Sequence, residues 1–306
     1  MEIFGQQLVN GITLGGMYAL IALGYTLVYG IMLMINFAHA EMFMGGAFVG
    51  LFTLTFLSQF DFLTGSALGI ITLFLLTFLV AGVSIGLLGV LIERIAYRPL
   101  RNAPRLAALI SAIAVSILLQ QMVLLWVTAR TLPFPNDLMP SGALEFGGVT
   151  ITYLQIIMLV STVLLLVILD TFISKTKIGK AMRATSQDRD AAGLMGIDIN
   201  KVIGVAFFVG PALGAAAGIF AGLYYGSVKF DMGFIPGIKS FTAAVIGGIG
   251  NLRGAMLGGL LIGLLEAMAA GYISSGYRDV IVFGALLLVL TFRPGGILGR
   301  STVEKV

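Results

Sequence analysis

Asn36, His39 and Glu41 stand close together in "MINFAHAEMFMGGAF" (Met34–Phe48), a stretch otherwise built of Met, Phe, Ile, Ala and Gly. His39 is the only histidine of the chain. Glu266, in "GLLIGLLEAMAAGY", lies in a second apolar run with no charge within eleven residues on either side. These groups do not form a reaction centre. With no cysteine, a single histidine and no clustered carboxylates there is no ligand set for a metal. No Ser/His pair or carboxylate dyad suggests hydrolysis. What remains is recognition: polar groups held inside an apolar surround.

That surround is set by composition. The 306 residues are 58% hydrophobic and 10% charged, with mean hydropathy +1.05. A soluble domain carries about 25% charged residues. Apolar runs of about 20 residues, enough to cross a bilayer core, recur along the chain, and they lack the alternation of a membrane barrel. The expected fold is an all-α polytopic transmembrane helical bundle of about 8–9 membrane segments. Candidate spans are 8–30, 31–57, 66–93, 105–127, 151–173 and 201–226. Two short segments, 239–250 and 255–273, and a last span, 277–293, follow. The chain reads as a single domain over 1–306 with no soluble module. The start, "MEIFGQQLVNG", lacks a basic n-region, so the first span is expected to be retained.

Charge predicts orientation. Basic residues gather in "ERIAYRPLRNAPR", in 174–201 and in the tail, which together hold 13 of the 18. The intervening loops hold only Arg130 and Lys229. The basic loops are therefore cytoplasmic, with the N-terminus outside and the C-terminus inside. The net charge of +4 does not suggest nucleic acid, because the cations sit in short inter-span loops. This orientation requires 239–273 to start and end outside, as a short or re-entrant hairpin with "GNLRG" at its turn, facing the protein interior.

In that frame the polar groups have two readings each. Asn36 caps a helix beginning at Phe37 near the inner interface, or the segment is a broken helix lining a solute path. Glu266 is a carboxylate satisfied by a hydroxyl or backbone group, or a pathway residue. Ser240 and Thr242, beside Lys239, are weaker pathway candidates. Arg278, Asp279 and Asp170 read as interface residues. Gly210, Gly214, Gly218, Gly222 and Gly226 recur every four residues and predict a flat helix face for close packing, or a surface that slides.

The loop 174–200 predicts a short amphipathic helix from Asp188 to Met195, followed by Gly196. Arg183, Asp188, Arg189, Asp190, Ala191, Leu194 and Gly196 are its candidate coupling residues. It either rests on lipid headgroups or docks into a cytoplasmic partner. The chain lacks a phosphate-binding loop; "GGILGRST" has the wrong spacing and no lysine.

Several longer stretches carry a resemblance. They are "NGITLGGMYALIALGYTLVYGIMLMINFAHAEMFMGGAF", "ERIAYRPLR", "LAALISAIAVSILLQ", "ATSQDRDAAGLMGIDINKVIGVAFFVGPALGAAAG", "GIKSFTAAVIGGIGNLRGAMLGGLLIGLLEA" and "PGGILGRSTVEKV". The chain resembles the H-type membrane permease subunits of Liv-type branched-chain amino-acid ABC importers over nearly its whole length; 128–150 matches least. The resemblance implies a bacterial inner-membrane permease without its own nucleotide site. It implies a homologous M-type permease partner, two cytoplasmic ATPase subunits that bind ATP and Mg, and a periplasmic binding protein delivering leucine, isoleucine or valine. It also implies that "TSQDRDAAGLMGID" docks the ATPase. Ala40 departs from the expected glycine after "NFAH". The competing readings are a urea or amide ABC permease and, from another class, a stand-alone secondary transporter or channel.

Overall fold

The computed structural model describes residues 2–101, 103–139 and 142–299. Arg300, Lys305 and the "VEKV" end lie outside the described residues. In lipid, apolar runs satisfy their backbone internally, so they fold as helices. In order these are α1 (Glu2–Met32), α2 (His39–Leu57), α3 (Asp61–Thr64), α4 (Ala67–Ile92), α5 (Arg105–Trp126) and α6 (Tyr153–Lys175). Then come α7 (Lys177–Gln187), α8 (Arg189–Leu194), α9 (Ile199–Tyr225), α10 (Phe234–Gly247), α11 (Leu252–Tyr272) and α12 (Arg278–Phe292). Among the described residues, seven helices are long and apolar enough to cross a membrane. The chain is a multi-pass all-α membrane protein.

Strands are confined to two small ribbons. They are formed by β1 (Leu132–Pro133), β2 (Ala143–Phe146), β3 (Val149–Thr152) and β4 (Ser227–Val228), with β1 paired to β4 and β2 to β3. These ribbons lie at one end of the bundle, where Gln6 exchanges hydrogen bonds of 2.9 and 3.0 Å with the Thr150 backbone. The basic segments meet at the other end. There Arg101 donates to Asn200 at 2.5 Å, and both Arg98 and Arg101 pair with Glu93.

Burial ranks the helices. Within its apolar stretch α1 is 89% buried and α5 only 6%, which makes α1 the axis and α5 a rim helix. α1 packs most extensively on α11. The two run antiparallel and meet through small residues: a Cβ on Gly15 would press on the Leu260 backbone, and one on Gly263 would overlap Gly15. Hydrophobic burial does not drive helices together in lipid, so close backbone packing of this kind does.

The expected hairpin is α10 and α11. Its short arm, α10, has 14 residues, about 21 Å. Its turn carries Gly248 and Gly250 at φ of 106° and 89°. Gly250 lies beside Gly30, level with the end of α1, so the hairpin reaches the basic end instead of reversing at half depth. The C-terminal segment closes over the turn: Ile297 and Leu298 donate to the carbonyls of Ile246 and Gly247 at 2.8 and 3.0 Å.

Candidate functional site

The first cluster is built on a break in the backbone. α1 ends at Met32, and Leu33 adopts φ 52°, the one left-handed non-glycine residue among those described. Residues 33–38 are non-helical and α2 starts at His39. Asn36 is not the helix cap; the capping position is Ala38, which makes no side-chain bond. The backbone carbonyl of Asn36 accepts from the His39 N–H at 3.1 Å. Its buried side chain accepts from the Tyr97 hydroxyl at 2.7 Å.

The depth also differs from expectation. The His39 ring fills the space left by the missing side chain of Gly24 on α1 and lies near Gly214, midway along α9. α2 therefore begins inside the bundle and not at the basic interface, because residues 33–38 fold back inward. Non-helical backbone at such depth requires protein or a cavity around it.

His39 is fully buried, and its ring meets Tyr25 edge-on at 4.8 Å. Among the described residues neither ring nitrogen has a hydrogen-bond partner. Glu41 Oε1 accepts from the Ser116 hydroxyl of α5 at 3.2 Å, while Oε2 has no partner among the described residues. The Ala40 methyl faces Gly237 of α10, where a Cβ would overlap it. The extra methyl at Ala40 is thus accommodated by a glycine across the interface.

Tyr97 was not among the residues singled out from the sequence. It belongs to a single π-helical turn, Glu93–Tyr97, that continues α4. Such turns often mark functional positions. Tyr97→Phe is expected to lower stability by about 1–3 kcal/mol, the cost of leaving a buried acceptor such as the Asn36 amide oxygen unpaired. Thermal unfolding in detergent checks this. Adding Asn36→Leu, which removes the orphaned acceptor, should recover part of the loss.

The second cluster surrounds Glu266. Its Oε2 accepts from the Tyr18 hydroxyl at 2.6 Å and its Oε1 from Lys239 Nζ at 2.8 Å. Lys239 also pairs with Asp279 Oδ1 at 2.6 Å, and Arg278 Nε lies 3.8 Å from Glu266. Arg278 and Asp279 are half-exposed and salt-bridged, as expected of interface residues, and their pairs reach into the buried Lys239–Glu266 network. α10 separates the two clusters: Gly233 and Gly237 face Ala40 and Glu41, while Lys239 faces Glu266. Ser240 and Thr242 are buried on α10, and their hydroxyls lack partners among the described residues. Lys239 could have been found by the same rule that selected Glu266, a charge within an apolar segment.

A family model described as "Branched-chain amino acid transport system / permease component" matches residues 7–291. The chain belongs to this permease family. The high-affinity branched-chain amino acid transport system permease protein BraD of Pseudomonas aeruginosa is 46% identical over 306 residues, covering 98% of this chain and 97% of the relative. LivH of Escherichia coli K12 is 45% identical over 309 residues, with 99% and 98% covered. A probable LivH permease of Methanocaldococcus jannaschii is 28% identical over 319 residues, with 96% and 93% covered. No solved structure matches the chain.

In this permease the basic segment after α6 forms the expected short helix, α8, preceded by α7, which is not expected from the sequence. Asp188 caps α8 by accepting from the Ala191 N–H at 2.9 Å, and Gly196 takes the left-handed turn at φ 83°. Arg183 donates to the Ser174 carbonyl at 3.2 Å, tying α7 back to the end of α6. Leu194 and Met195 are 90% and 83% exposed. Arg189, Asp190, Gly193 and Leu194, with Ile199 and Asn200, line a cleft of about 460 Å³. Two large apolar side chains project from a polar, basic end beside this cleft.

The glycine ladder of the permease does not serve one neighbour. Four residues on a helix advance by about 40° around the axis, so along the ladder the partner changes from α1 to α2 and then to Phe134. Gly210 faces Gly24 of α1, Gly214 faces His39 and Met42, and Gly218 faces Phe43 and Ala47 of α2. Gly222 faces the Phe134 ring, and Gly226 ends the helix at φ 67°.

Proposed function

We propose that the chain is the H-type permease subunit of an ATP-driven importer for leucine, isoleucine and valine. It forms the translocation pathway with a homologous M-type permease. The observation that carries this is near-full-length similarity to high-affinity branched-chain amino acid permeases at 45–46% identity. Two cytoplasmic ATPase subunits bind ATP and Mg and dock on α8, and a periplasmic binding protein delivers the solute at the ribbon end. The protein lies in the bacterial inner membrane, with its basic end cytoplasmic, its N-terminus outside and its C-terminus inside; the loop charge supports this orientation.

A branched-chain amino acid is a zwitterion with an apolar body. It needs a few polar groups and an apolar wall, and the broken segment offers both. Asn36, His39 and Glu41 are the pathway residues of this reading, with Ser240 and Thr242 on the facing helix. Glu266 has its hydrogen bonds filled within the chain, which favours a structural share in its role. Arg183, Asp188, Arg189, Asp190, Ala191, Leu194 and Gly196 form the coupling segment.

The test is competition in proteoliposomes holding the complete importer. Unlabelled valine and isoleucine should suppress labelled leucine uptake, and urea should not. Uptake of labelled urea without leucine uptake would replace this reading with the amide-permease one. Docking on α8 has its own test. Leu194→Asp should leave the permease folded, because the side chain is exposed, and lower ATP-driven leucine uptake about tenfold or more, in keeping with the loss of an interface anchor. Uptake equal to the unmodified complex would remove Leu194 from the interface.

A further inference from the structure

Among the described residues three glutamates are buried in the bundle, Glu41, Glu93 and Glu266. Two of them have cations supplied by the chain. Glu93 pairs with Arg98 and Arg101, and Glu266 with Lys239 and Arg278. Glu41 pairs with no lysine or arginine among those residues, although it is only 3% exposed. One of its oxygens accepts from the Ser116 hydroxyl and the other is unpartnered among the described residues. A Cβ at Gly233 would lie 3.0 Å from that free oxygen, so a larger residue there would crowd it.

Buried polar groups without partners are rare, and a carboxylate among membrane helices is rarer still. The dipole of α2 favours a negative charge in its first turn but supplies no donor to the free oxygen. Close to the same break, Tyr25, Phe37 and Phe241 form an aromatic group with ring centroids 5.9 and 6.1 Å apart.

We infer that Glu41 is the group that binds the ammonium of the amino-acid solute as it passes the break. Ser116 holds the carboxylate in place, and the aromatic rings offer an apolar wall to the side chain. The inference rests on the amino-acid permease reading and adds the feature recognised, a primary ammonium. Urea and simple amides lack that group and would leave Glu41 without a ligand.

The test uses the complete importer in proteoliposomes with its binding protein, measuring labelled leucine uptake and ATP hydrolysis together. Glu41→Gln keeps the shape and the Ser116 contact and removes the charge. Uptake is expected to fall about tenfold or more, the range for losing a charged hydrogen bond, while ATP hydrolysis continues, so less leucine moves per ATP. Glu41→Asp, which keeps the charge, should retain more uptake than Glu41→Gln. Uptake by Glu41→Gln within about twofold of the unmodified complex overturns the inference. So does a failure of Glu41→Gln to assemble, which would make the group structural. If the unmodified complex moves no leucine, the amino-acid reading itself fails.

Discussion

Lys239→Met is expected to destabilise the folded permease by about 3–5 kcal/mol, the range for removing one partner of a buried ion pair. Lys239 is 2% exposed and touches both Glu266 and Asp279. Without it, Glu266 keeps the Tyr18 hydroxyl and a distant Arg278, and a carboxylate inside the bundle loses its nearest cation. The network ties α1, α10, α11 and α12 together at one level, so the loss should loosen the hairpin as a unit. The double variant Lys239→Met/Glu266→Leu removes both charges and should recover most of the stability, since apolar replacement of a whole buried pair is often neutral. Thermal unfolding of Lys239→Met, Glu266→Leu, the double variant and the parent in one detergent gives the coupling energy directly. A cost below about 1 kcal/mol for Lys239→Met would mean that the network is screened by water.

Gly218→Leu is expected to abolish assembly. A Cβ at this position would overlap the Phe43 carbonyl of α2 and press on the Ala47 N–H. Both are backbone atoms of a buried helix, and a branched side chain cannot be accommodated by a rotamer change. Overpacking costs about 1–3 kcal/mol when side chains can yield, and here the helices must separate. The separation would also displace His39 and Glu41, which lie within the preceding turn or so of α2. Gly204 on the same helix is the control, because nothing lies within 4 Å of a Cβ there. Gly204→Ala should be neutral or stabilising by up to about 1 kcal/mol. Yield of folded permease after size exclusion distinguishes the two. Normal yield for Gly218→Leu would show that α2 and α9 do not pack as closely as described.

Much of this architecture is written locally in the chain. Apolar runs bounded by charged loops place the spans within about two residues of α4, α5, α6 and α9, whereas α1 starts six residues before the expected span. Asp188 and Gly196 delimit α8, because an Asx cap and a left-handed glycine act through their own neighbours. The expected hairpin is present as α10 and α11 with its turn at the basic end, and it starts inside the bundle, where Gly233 lies beside Ala40 and Glu41.

The less legible features depend on residues distant in sequence. Nothing near Glu266 shows that Lys239, 27 positions earlier, will reach it, or that Tyr18 will close the other side. The inward fold of 33–38 is likewise tertiary: it depends on Gly24 leaving room for the His39 ring, and on Tyr97 meeting Asn36. The β2–β3 ribbon has a local signal in the sequence. Gly147 and Gly148, at φ 58° and 79°, stand between two short strands of "ALEFGGVTIT", and a Gly-Gly pair is a favoured two-residue hairpin turn.

The central claim is that this permease forms a path for a branched-chain amino acid and takes its energy from proteins docked at its basic end. The most direct measurement is accumulation of labelled leucine in proteoliposomes, made once with the complete importer and once with this chain alone. The account predicts ATP-dependent accumulation with the complete importer and none with the chain alone. Accumulation by the chain alone, or leucine uptake by the complete importer that is indifferent to ATP, would contradict it.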